Sequence, residues 1–313
     1  MKALVIGAAG FVGGYLIDCL KSEFGYAVYG TKLASQDFAH AGAEICDLDI
    51  LVRAEIDALL AKIRPDAIFH LAAQSSVALS WQKPQLTVDI NITGALNVLE
   101  AVRALDYKPR LVLVGSGEEY GASGADSGQI DEETVLKPCN IYAATKATQN
   151  MLGAIYARGY GLQLVNVRAF NHIGPGQADT FVVSDFCRQV AEIEAGKREP
   201  VLRVGNLSAR RDFTGVRDVV RAYALLAEKG HAGETYNVGS GHAVQIQALL
   251  EKIIARAAVP IDVHVDEAKL RPVDVPCIEA NISKIRRETG WQPRYSIDAT
   301  VSDVLEWWRR TIQ

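Results

Sequence analysis

The fold is decided by the stretch Ala3-Leu4-Val5-Ile6-Gly7-Ala8-Ala9-Gly10-Phe11-Val12-Gly13, in which an apolar run leads into three glycines spaced G-x-x-G-x-x-G. Four consecutive apolar residues are typical of a strand that is buried on both faces of a parallel sheet. Glycine permits the tight turn from this strand into a helix, which we expect over residues 11–20. The stretch therefore predicts the first strand–turn–helix unit of a Rossmann-type fold.

The alternation of short apolar runs and helical patterns continues through the first half of the chain. Further strands are predicted at residues 27–29, 66–71, 111–114 and 164–168, and a helix at residues 52–63. Such alternation is the signature of parallel strands joined by crossover helices. We therefore predict an α/β fold with a Rossmann-type, doubly wound parallel sheet.

The glycine turn is a candidate binding site for a dinucleotide. Its glycines let backbone N–H groups approach a pyrophosphate at the N-terminus of the following helix. Small residues after the predicted strand 66–71 would let the cofactor pass close to the backbone. The predicted contacts are Gly7, Gly10, Phe11, Val12 and Gly13 in the turn, with Leu71, Ala72 and Ala73 opposite. The alternative is a tight turn that binds no ligand.

The residues after the second strand indicate which dinucleotide is bound. Sites specific for NAD place an acidic residue there for the ribose 2′-hydroxyl, whereas this chain has Thr31 and Lys32. These two residues are suited to a 2′-phosphate, so NADP is favoured, with NAD as the alternative. Lys32 could instead be an ordinary surface lysine. Asp47, followed by Leu48, is placed to contact the adenine.

The pattern becomes looser after about residue 175. Helical stretches are mixed there with short strands such as residues 235–238. We interpret this part as a smaller mixed α/β lobe that covers the carboxyl edge of the sheet, where ligands of open α/β sheets bind. The predicted division is an NAD(P)-binding domain at residues 1–170 and a substrate lobe at residues 171–313, with some interleaving of segments.

Composition excludes several other classes of protein. The formal net charge of −4 on 313 residues gives no general attraction for nucleic acid. Five scattered cysteines without a C-x-x-C pair favour reduced thiols, and the six histidines show no metal-binding spacing, so no metal site is expected. Since no apolar run approaches the ~20 residues of a membrane span, we expect no membrane association and a cytoplasmic protein.

A tyrosine and a lysine form the core of a candidate catalytic site. Tyr142 and Lys146 are four residues apart and so lie on one face of a helix. A neighbouring ammonium stabilises a phenolate, so we expect Lys146 to lower the pKa of Tyr142 and make it a usable proton donor or acceptor. Ser116 supplies a hydroxyl at the same edge of the sheet, next to Gly117 and Glu118. Glu118 is either a catalytic carboxylate or a solvated loop residue.

These residues resemble the Ser/Thr-Tyr-Lys triad of the short-chain dehydrogenase/reductase superfamily. Together with the glycine turn and the second lobe, the chain is similar to the extended branch of that superfamily, which acts on nucleotide sugars. The resemblance covers essentially the whole chain. It implies that Lys146 also holds the nicotinamide ribose and that Ser116 orients the substrate oxygen.

One departure inside this branch distinguishes two reactions. Sugar-nucleotide 4,6-dehydratases carry Thr, then Asp or Ser, then Glu as an acid–base set, whereas this chain has Ser116, Gly117 and Glu118. Glycine cannot transfer a proton, so the set is incomplete although Glu118 occupies the position of the base. We therefore predict that Gly117 borders the substrate without acting on it, and that dehydration is disfavoured.

The stretch Arg168-Ala169-Phe170-Asn171-His172-Ile173-Gly174-Pro175-Gly176-Gln177 resembles the GDP-6-deoxy-4-keto-mannose reductases, which make GDP-D-rhamnose. It is similar also to GDP-mannose 4,6-dehydratases, which share the Asn-His pair but usually lack the Gly-Pro-Gly-Gln continuation. The resemblance implies that Asn171 binds a diphosphate oxygen and that the segment around Val182 approaches the base of the nucleotide.

Two arginines match the same group of proteins. Arg211 and Arg271 are assigned to the sugar nucleotide because arginine suits bidentate phosphate contacts, and Asp274 to a ribose hydroxyl. The alternative for Arg211 is an ordinary ion pair with Asp212 or Asp218.

The leading hypothesis is thus an NAD(P)H-dependent reductase of a GDP-4-keto-6-deoxy-hexose. The alternatives are a redox-neutral 4,6-dehydratase or epimerase of the same branch, and a non-catalytic dinucleotide sensor. The resemblance also implies a homodimer formed through the helices that follow Pro84 and Asn140.

Overall fold

The computed structural model describes residues 1–125, 128–270 and 275–313. Within these residues, one large sheet is formed by the strands β1 (Lys2–Ile6), β2 (Ala27–Lys32), β3 (Ala43–Asp47), β4 (Ala67–His70), β5 (Arg110–Val114), β6 (Leu164–Ala169) and β10 (Thr235–Val238). Their spatial order is β10-β6-β5-β4-β1-β2-β3, and every neighbouring pair is parallel. The predicted Rossmann-type parallel sheet is confirmed.

Helices cover both faces of this sheet. Alternate residues of a strand point to opposite faces, so Val5 packs towards α1 (Phe11–Ser22) and α8 (Val216–Lys229), and Leu4 packs towards the other helices. Those are α2 (Arg53–Ile63), α5 (Ala95–Arg103) and α6 (Ile141–Tyr160). The apolar strands are buried on both sides, as their sequence predicts.

One further helical stretch leads from β4 to α5. It consists of α3 (Val77–Gln82), α4 (Pro84–Val88) and a π-helical segment at Asp89–Gly94, which runs directly into α5. In the π-helical segment, the Asn91 side chain donates to the Thr145 hydroxyl at 3.0 Å. This bond ties the segment to α6, the helix that carries the tyrosine and the lysine.

The second half of the chain builds two smaller sheets beside the carboxyl edge of the large one. The first contains β7 (Asn171–Ile173), β9 (Arg210–Gly215), β11 (Ala243–Gln245) and β13 (Cys277–Ile278), and the second pairs β8 (Val201–Val204) with β12 (Asp262–Val265). The accompanying helices are α7 (Val182–Glu194), α9 (Ile246–Ile254), α10 (Ser283–Thr289) and α11 (Ile297–Ile312). Most of these elements share a separate apolar core that includes Phe186, Leu250 and Val304, whereas Ile285 of α10 is buried in the core of the large sheet.

One strand lies in a different place from the one predicted. Residues 235–238 were expected in the smaller lobe, but β10 pairs with β6 at the edge of the large sheet, with Tyr236 opposite Val167. Tyr236 and Val238 are buried in the core shared with α1 and α8. The chain therefore returns to the large sheet after the smaller lobe has begun. The division at residue 170 stays a prediction.

No helix within residues 1–125, 128–270 and 275–313 is long and apolar enough to cross a bilayer. The same residues contain no cluster of three His, Cys, Asp or Glu side chains arranged to hold a metal ion.

Candidate active site

The glycine turn between β1 and α1 forms a cradle of bare backbone. Gly7 has a φ of +88°, and a Cβ atom there would lie 2.7 Å from the Ala72 backbone. A Cβ atom on Gly13 would lie 2.1 Å from the Ala8 carbonyl oxygen. No side chain in the described parts of the chain caps α1 at Gly10, so its first amides can meet an anion. The turn therefore fits a pyrophosphate, as predicted for a dinucleotide.

Thr31, near the end of β2, stabilises this turn. Its hydroxyl accepts a hydrogen bond from the Gly7 amide at 3.0 Å, and its carbonyl accepts one from Ala8 at 2.8 Å. The side chain is buried. The expectation that Thr31 receives a 2′-phosphate is therefore wrong, because its hydroxyl lies inside the protein and holds the turn.

Lys32 and Asp47 form an ion pair at the ends of β2 and β3. The Lys32 Nζ atom lies 2.8 Å from the Asp47 Oδ1 atom. Leu48 is buried, and its amide donates to the Lys32 carbonyl oxygen at 2.8 Å. Lys32 is thus paired with Asp47 and lies near the glycine turn. The adenine contacts of Asp47 and Leu48 stay predictions.

The opposite wall of the cradle follows β4. The amides of Leu71 and Ala72 both donate to the Ile6 carbonyl oxygen, at 2.9 and 3.0 Å, which draws this segment and Ala73 close to the turn. An open cavity of about 380 Å³ flanks the start of α1 and is lined in part by Gly10, His40 and Pro175.

The predicted catalytic side chains come together at the carboxyl edge of the sheet. Asn140 caps α6 by accepting from the Ala143 amide at 2.8 Å, which fixes Tyr142 in the first turn of the helix. The buried Tyr142 hydroxyl lies beside the Ser116 side chain, which favours the ionised form of the tyrosine and so lowers its pKa. Because β5 ends two residues before Ser116, the sheet edge brings together residues that are 26 positions apart in sequence.

The pKa values of Tyr142 and Lys146 differ from the prediction. Lys146 donates to the Val114 carbonyl oxygen at 2.8 Å and to the Gln149 side chain at 3.1 Å. Burial lowers the pKa of Lys146 to about 8, although the Glu119 carboxylate opposes that change. Burial raises the pKa of the Tyr142 hydroxyl, and the neighbouring Ser116 side chain offsets this only in part. The expected lowering of the Tyr142 pKa by Lys146 is therefore wrong, and Tyr142 is held in its protonated form.

Gly117 and Glu118 complete the loop after β5. A Cβ atom on Gly117 would lie 3.0 to 3.2 Å from three carbons of the Phe170 ring, tighter than ordinary van der Waals contact. Glu118 is half-buried and accepts a hydrogen bond from the Asn140 side chain at 3.2 Å. Gly117 thus lies against an aromatic ring, and Glu118 is tied to the cap of α6.

A buried ion pair beneath this loop was not predicted. Glu119 accepts a hydrogen bond from the Ser116 amide at 2.8 Å, and its other oxygen lies 3.1 Å from the Arg168 Nε atom. Both side chains are almost completely buried, and the Arg168 guanidinium also lies 4.8 Å from the centre of the Tyr120 ring. A charged residue at the end of the apolar strand 164–168 was the available signal for a buried partner.

The Asn-His loop joins the glycine turn to the smaller lobe. The His172 ring stacks on the Phe11 ring, with 6.1 Å between centroids and 5° between planes. His172 Nδ1 donates to the Phe170 carbonyl oxygen at 3.1 Å, and burial lowers the pKa of His172, so its ring is neutral. His172 thus lies near the cofactor cradle, although the sequence predicted no role for it.

The structure describes only some of the predicted substrate residues. Asn171 is exposed and pairs in register with Phe213 of β9, and Val182 is the first residue of α7. Arg271 and Asp274 lie outside the described residues. The roles of all four stay predictions.

Arg211 is anchored within the smaller lobe. It is buried and donates to the Val275 carbonyl oxygen at 2.7 Å. The two carboxylates considered as its alternative partners, Asp212 and Asp218, are buried and accept hydrogen bonds from backbone amides. The phosphate contact of Arg211 stays a prediction.

Comparison with known proteins identifies the wider group. A protein-family model described as GDP-mannose 4,6 dehydratase matches residues 4–304. A GDP-6-deoxy-D-mannose reductase of Pseudomonas aeruginosa is 33% identical over 249 residues, which cover 80% of this chain and 82% of that protein.

Two solved structures superpose along nearly the entire chain. RMD from Pseudomonas aeruginosa, complexed with NADPH, has a TM-score of 0.86 at 30% identity and covers 99% of this chain and 100% of that one. The UDP-glucose 4-epimerase of Thermus thermophilus, in complex with NAD, has a TM-score of 0.88 at 27% identity and covers 99% of each chain.

Proposed function

The chain belongs to the GDP-mannose 4,6-dehydratase family of NAD(P)-dependent short-chain dehydrogenase/reductase enzymes, and we propose that it reduces the 4-keto group of a GDP-4-keto-6-deoxy-hexose. The proposed reaction converts GDP-4-dehydro-6-deoxy-D-mannose to a product of the GDP-D-rhamnose type. It agrees with the name of the Pseudomonas aeruginosa relative.

The loop after β5 carries this proposal. Dehydration needs an acid and a base that act on C5 and C6 of the sugar, in addition to the groups at C4. Gly117 offers no acid, and the Phe170 ring lies only 3.0 Å from the place where a Cβ atom at that position would be. Reduction needs only a proton donor for the C4 oxygen. The protonated Tyr142 beside Ser116 is such a donor.

The described residues have distinct tasks in this mechanism. The glycine turn would hold NAD(P)H, which would supply the hydride for C4 when bound. Tyr142 donates its proton to the carbonyl oxygen, and the Ser116 hydroxyl donates a hydrogen bond to the developing oxyanion. Lys146 is assigned to the nicotinamide ribose, and Glu119 holds the Ser116 backbone in place.

NADPH is the favoured cofactor and NADH the alternative. The RMD structure contains NADPH and the epimerase structure contains NAD. In this chain, Lys32 supplies a cation at the end of β2, while the cradle at Gly7 and Ala72 accepts the pyrophosphate common to both cofactors. The residues assigned to binding of the sugar nucleotide are Asn171, Val182, Arg211, Arg271 and Asp274.

A homodimer is proposed through α4 and α6, the helices that follow Pro84 and Asn140. Their outer surfaces expose Leu86, Met151 and Ile155, and the two helices lie next to each other. An apolar patch shared by neighbouring helices is the kind of surface that a second subunit covers.

The first alternative is a redox-neutral 4,6-dehydratase. Two observations favour it: Glu118 occupies the position of the base, and the matching family model is named for that reaction. Epimerisation would likewise regenerate the cofactor in place. A non-catalytic dinucleotide sensor would not need the arrangement of Ser116, Tyr142 and Lys146.

The test is to follow NADPH consumption with GDP-4-keto-6-deoxy-mannose and to identify the product by NMR. We expect stoichiometric oxidation of NADPH, and loss of ~10²-fold or more of the rate in Tyr142→Phe. Tyr160→Phe, an exposed tyrosine on the same helix, is the control and should keep full activity. Turnover without NADPH oxidation, or an active Tyr142→Phe variant, would contradict the proposal.

A further inference from the structure

Lys32 and Asp47 oppose each other at the edge of the cofactor cradle. They are in register on the neighbouring strands β2 and β3, so their side chains lie on the same face of the sheet. The Lys32 Nζ atom lies 2.8 Å from Asp47 Oδ1, with 19% of the lysine side chain and 60% of the aspartate side chain exposed. The pair is thus partly shielded from solvent and accessible from the aspartate side.

The position of the pair relates it to the 2′ end of the cofactor. Thr31, the residue before Lys32, holds the Gly7 amide of the pyrophosphate cradle at 3.0 Å. Lys32 therefore lies next to the residue that supports the turn, in the region where the substituent on the 2′ carbon decides between the two dinucleotides. In NAD sites the acidic residue follows β2, whereas here the carboxylate comes from β3 and already neutralises the lysine.

We propose, on the basis of the dinucleotide site in the proposed function, that Asp47 is a specificity-determining residue that competes with the cofactor 2′-phosphate for Lys32. To bind, the 2′-phosphate must replace the Asp47 carboxylate as the partner of the Lys32 ammonium. It then lies next to the negative charge of that carboxylate. A 2′-hydroxyl meets no such repulsion. Asp47 thus limits the preference for NADPH and keeps the site open to NADH.

A different role for Asp47 makes a different prediction. If the carboxylate acts only by accepting a hydrogen bond from the adenine, its removal weakens both dinucleotides equally. Competition for Lys32 instead affects only the ligand that carries a 2′-phosphate. Fragments that contain adenosine and no nicotinamide separate these effects from catalysis.

The experiment measures binding of adenosine 2′,5′-bisphosphate and of AMP to the full chain by isothermal titration calorimetry. We expect Asp47→Asn to bind the bisphosphate roughly two- to fivefold more tightly, which is the range of a partly exposed ion pair, with AMP unchanged. Lys32→Met should weaken only the bisphosphate. In the Lys32→Met background, Asp47→Asn should lose most of its effect, which demonstrates the coupling.

Glu44→Gln is the matched control. Glu44 lies on the same strand, pairs with Lys62 at 3.4 Å, and its substitution changes the net charge by the same amount. It should change neither affinity. The role of Asp47 would be overturned if Asp47→Asn weakened the binding of both fragments equally. It would also be overturned if Asp47→Asn changed the affinity for the bisphosphate as strongly in the Lys32→Met background as in the wild type. Failure of wild-type protein to bind either fragment would contradict the dinucleotide site as well, whereas normal binding without turnover would contradict only the reductase.

Discussion

Arg168 shows how one residue connects the sheet to the catalytic loop. It lies near the end of β6, where its guanidinium pairs with the buried Glu119, and Glu119 accepts a hydrogen bond from the Ser116 amide. A charge in such a place is stable only when it is paired and hydrogen-bonded. The ion pair therefore serves to hold the backbone of Ser116 against the sheet.

We predict that Arg168→Met destabilises the protein by about 3–5 kcal/mol, because it leaves the Glu119 charge buried without a partner. Urea unfolding followed by circular dichroism measures this loss. The control is Arg103→Met, which breaks the exposed pair with Glu100 at 2.6 Å and should leave the free energy of unfolding nearly unchanged. Similar losses for both variants would show that burial does not set the strength of the Glu119 pair.

The pH dependence of activity also belongs to single residues. Burial lowers the pKa of Lys146 to about 8, so the ammonium is present below that pH and is lost above it. Tyr142, whose pKa is raised, does not titrate in this range. We expect kcat/KM for reduction to fall roughly tenfold per pH unit above about pH 8. A rate profile that stays flat to about pH 10 would contradict the role of the Lys146 charge.

At the scale of elements, α6 must lie unusually close to the sheet to place Tyr142 and Lys146. Gly153 makes this approach possible, since a Cβ atom there would lie 2.4 Å from the Asn166 Oδ1 atom. Asn140 fixes the start of the helix and also donates to Glu118. The start of the helix is therefore tied directly to the loop after β5.

Gly153→Ala should destabilise the protein by about 1–3 kcal/mol through overpacking against β6, even though alanine favours helix formation. Gly159→Ala is the control on the same helix, because no heavy atom beyond its chain neighbours and the surrounding helix backbone lies within 4 Å of the added methyl group. That variant should be neutral or more stable by up to about 1 kcal/mol. Thermal unfolding of both variants tests the prediction, and a stabilised Gly153→Ala would contradict the close approach of α6.

At the scale of the whole molecule, the large sheet and the smaller lobe are joined at the site itself. The chain leaves β6 through Phe170, enters the smaller lobe at β7, and later returns as β10 to pair with β6. Phe170 contacts Gly117, and His172 stacks on Phe11. The cofactor cradle, the catalytic loop and the smaller lobe thus meet within three consecutive residues.

The proposed dimer is tested at this scale. Ile155→Lys places a charge in the exposed apolar patch of α4 and α6 and should convert a dimer to a monomer, because an unpaired charge would be buried at the interface. Size-exclusion chromatography with light scattering gives the mass. Val265→Lys, an exposed apolar residue on β12, is the control and should leave the mass unchanged. A monomeric wild-type protein would contradict the proposal directly.

The amino-acid sequence by itself determined the parallel sheet, the glycine turn and the Tyr142–Lys146 face of α6, because these depend on local periodicity and on spacings within one turn or helix. The tertiary structure decided the burial of Thr31, the Lys32–Asp47 pair, the Glu119–Arg168 pair and the return of β10. Each of these depends on which distant residues become neighbours and on how far water is excluded from them. The raised pKa of Tyr142 has the same origin, since burial is a property of the packed molecule and not of the Tyr-x-x-x-Lys spacing.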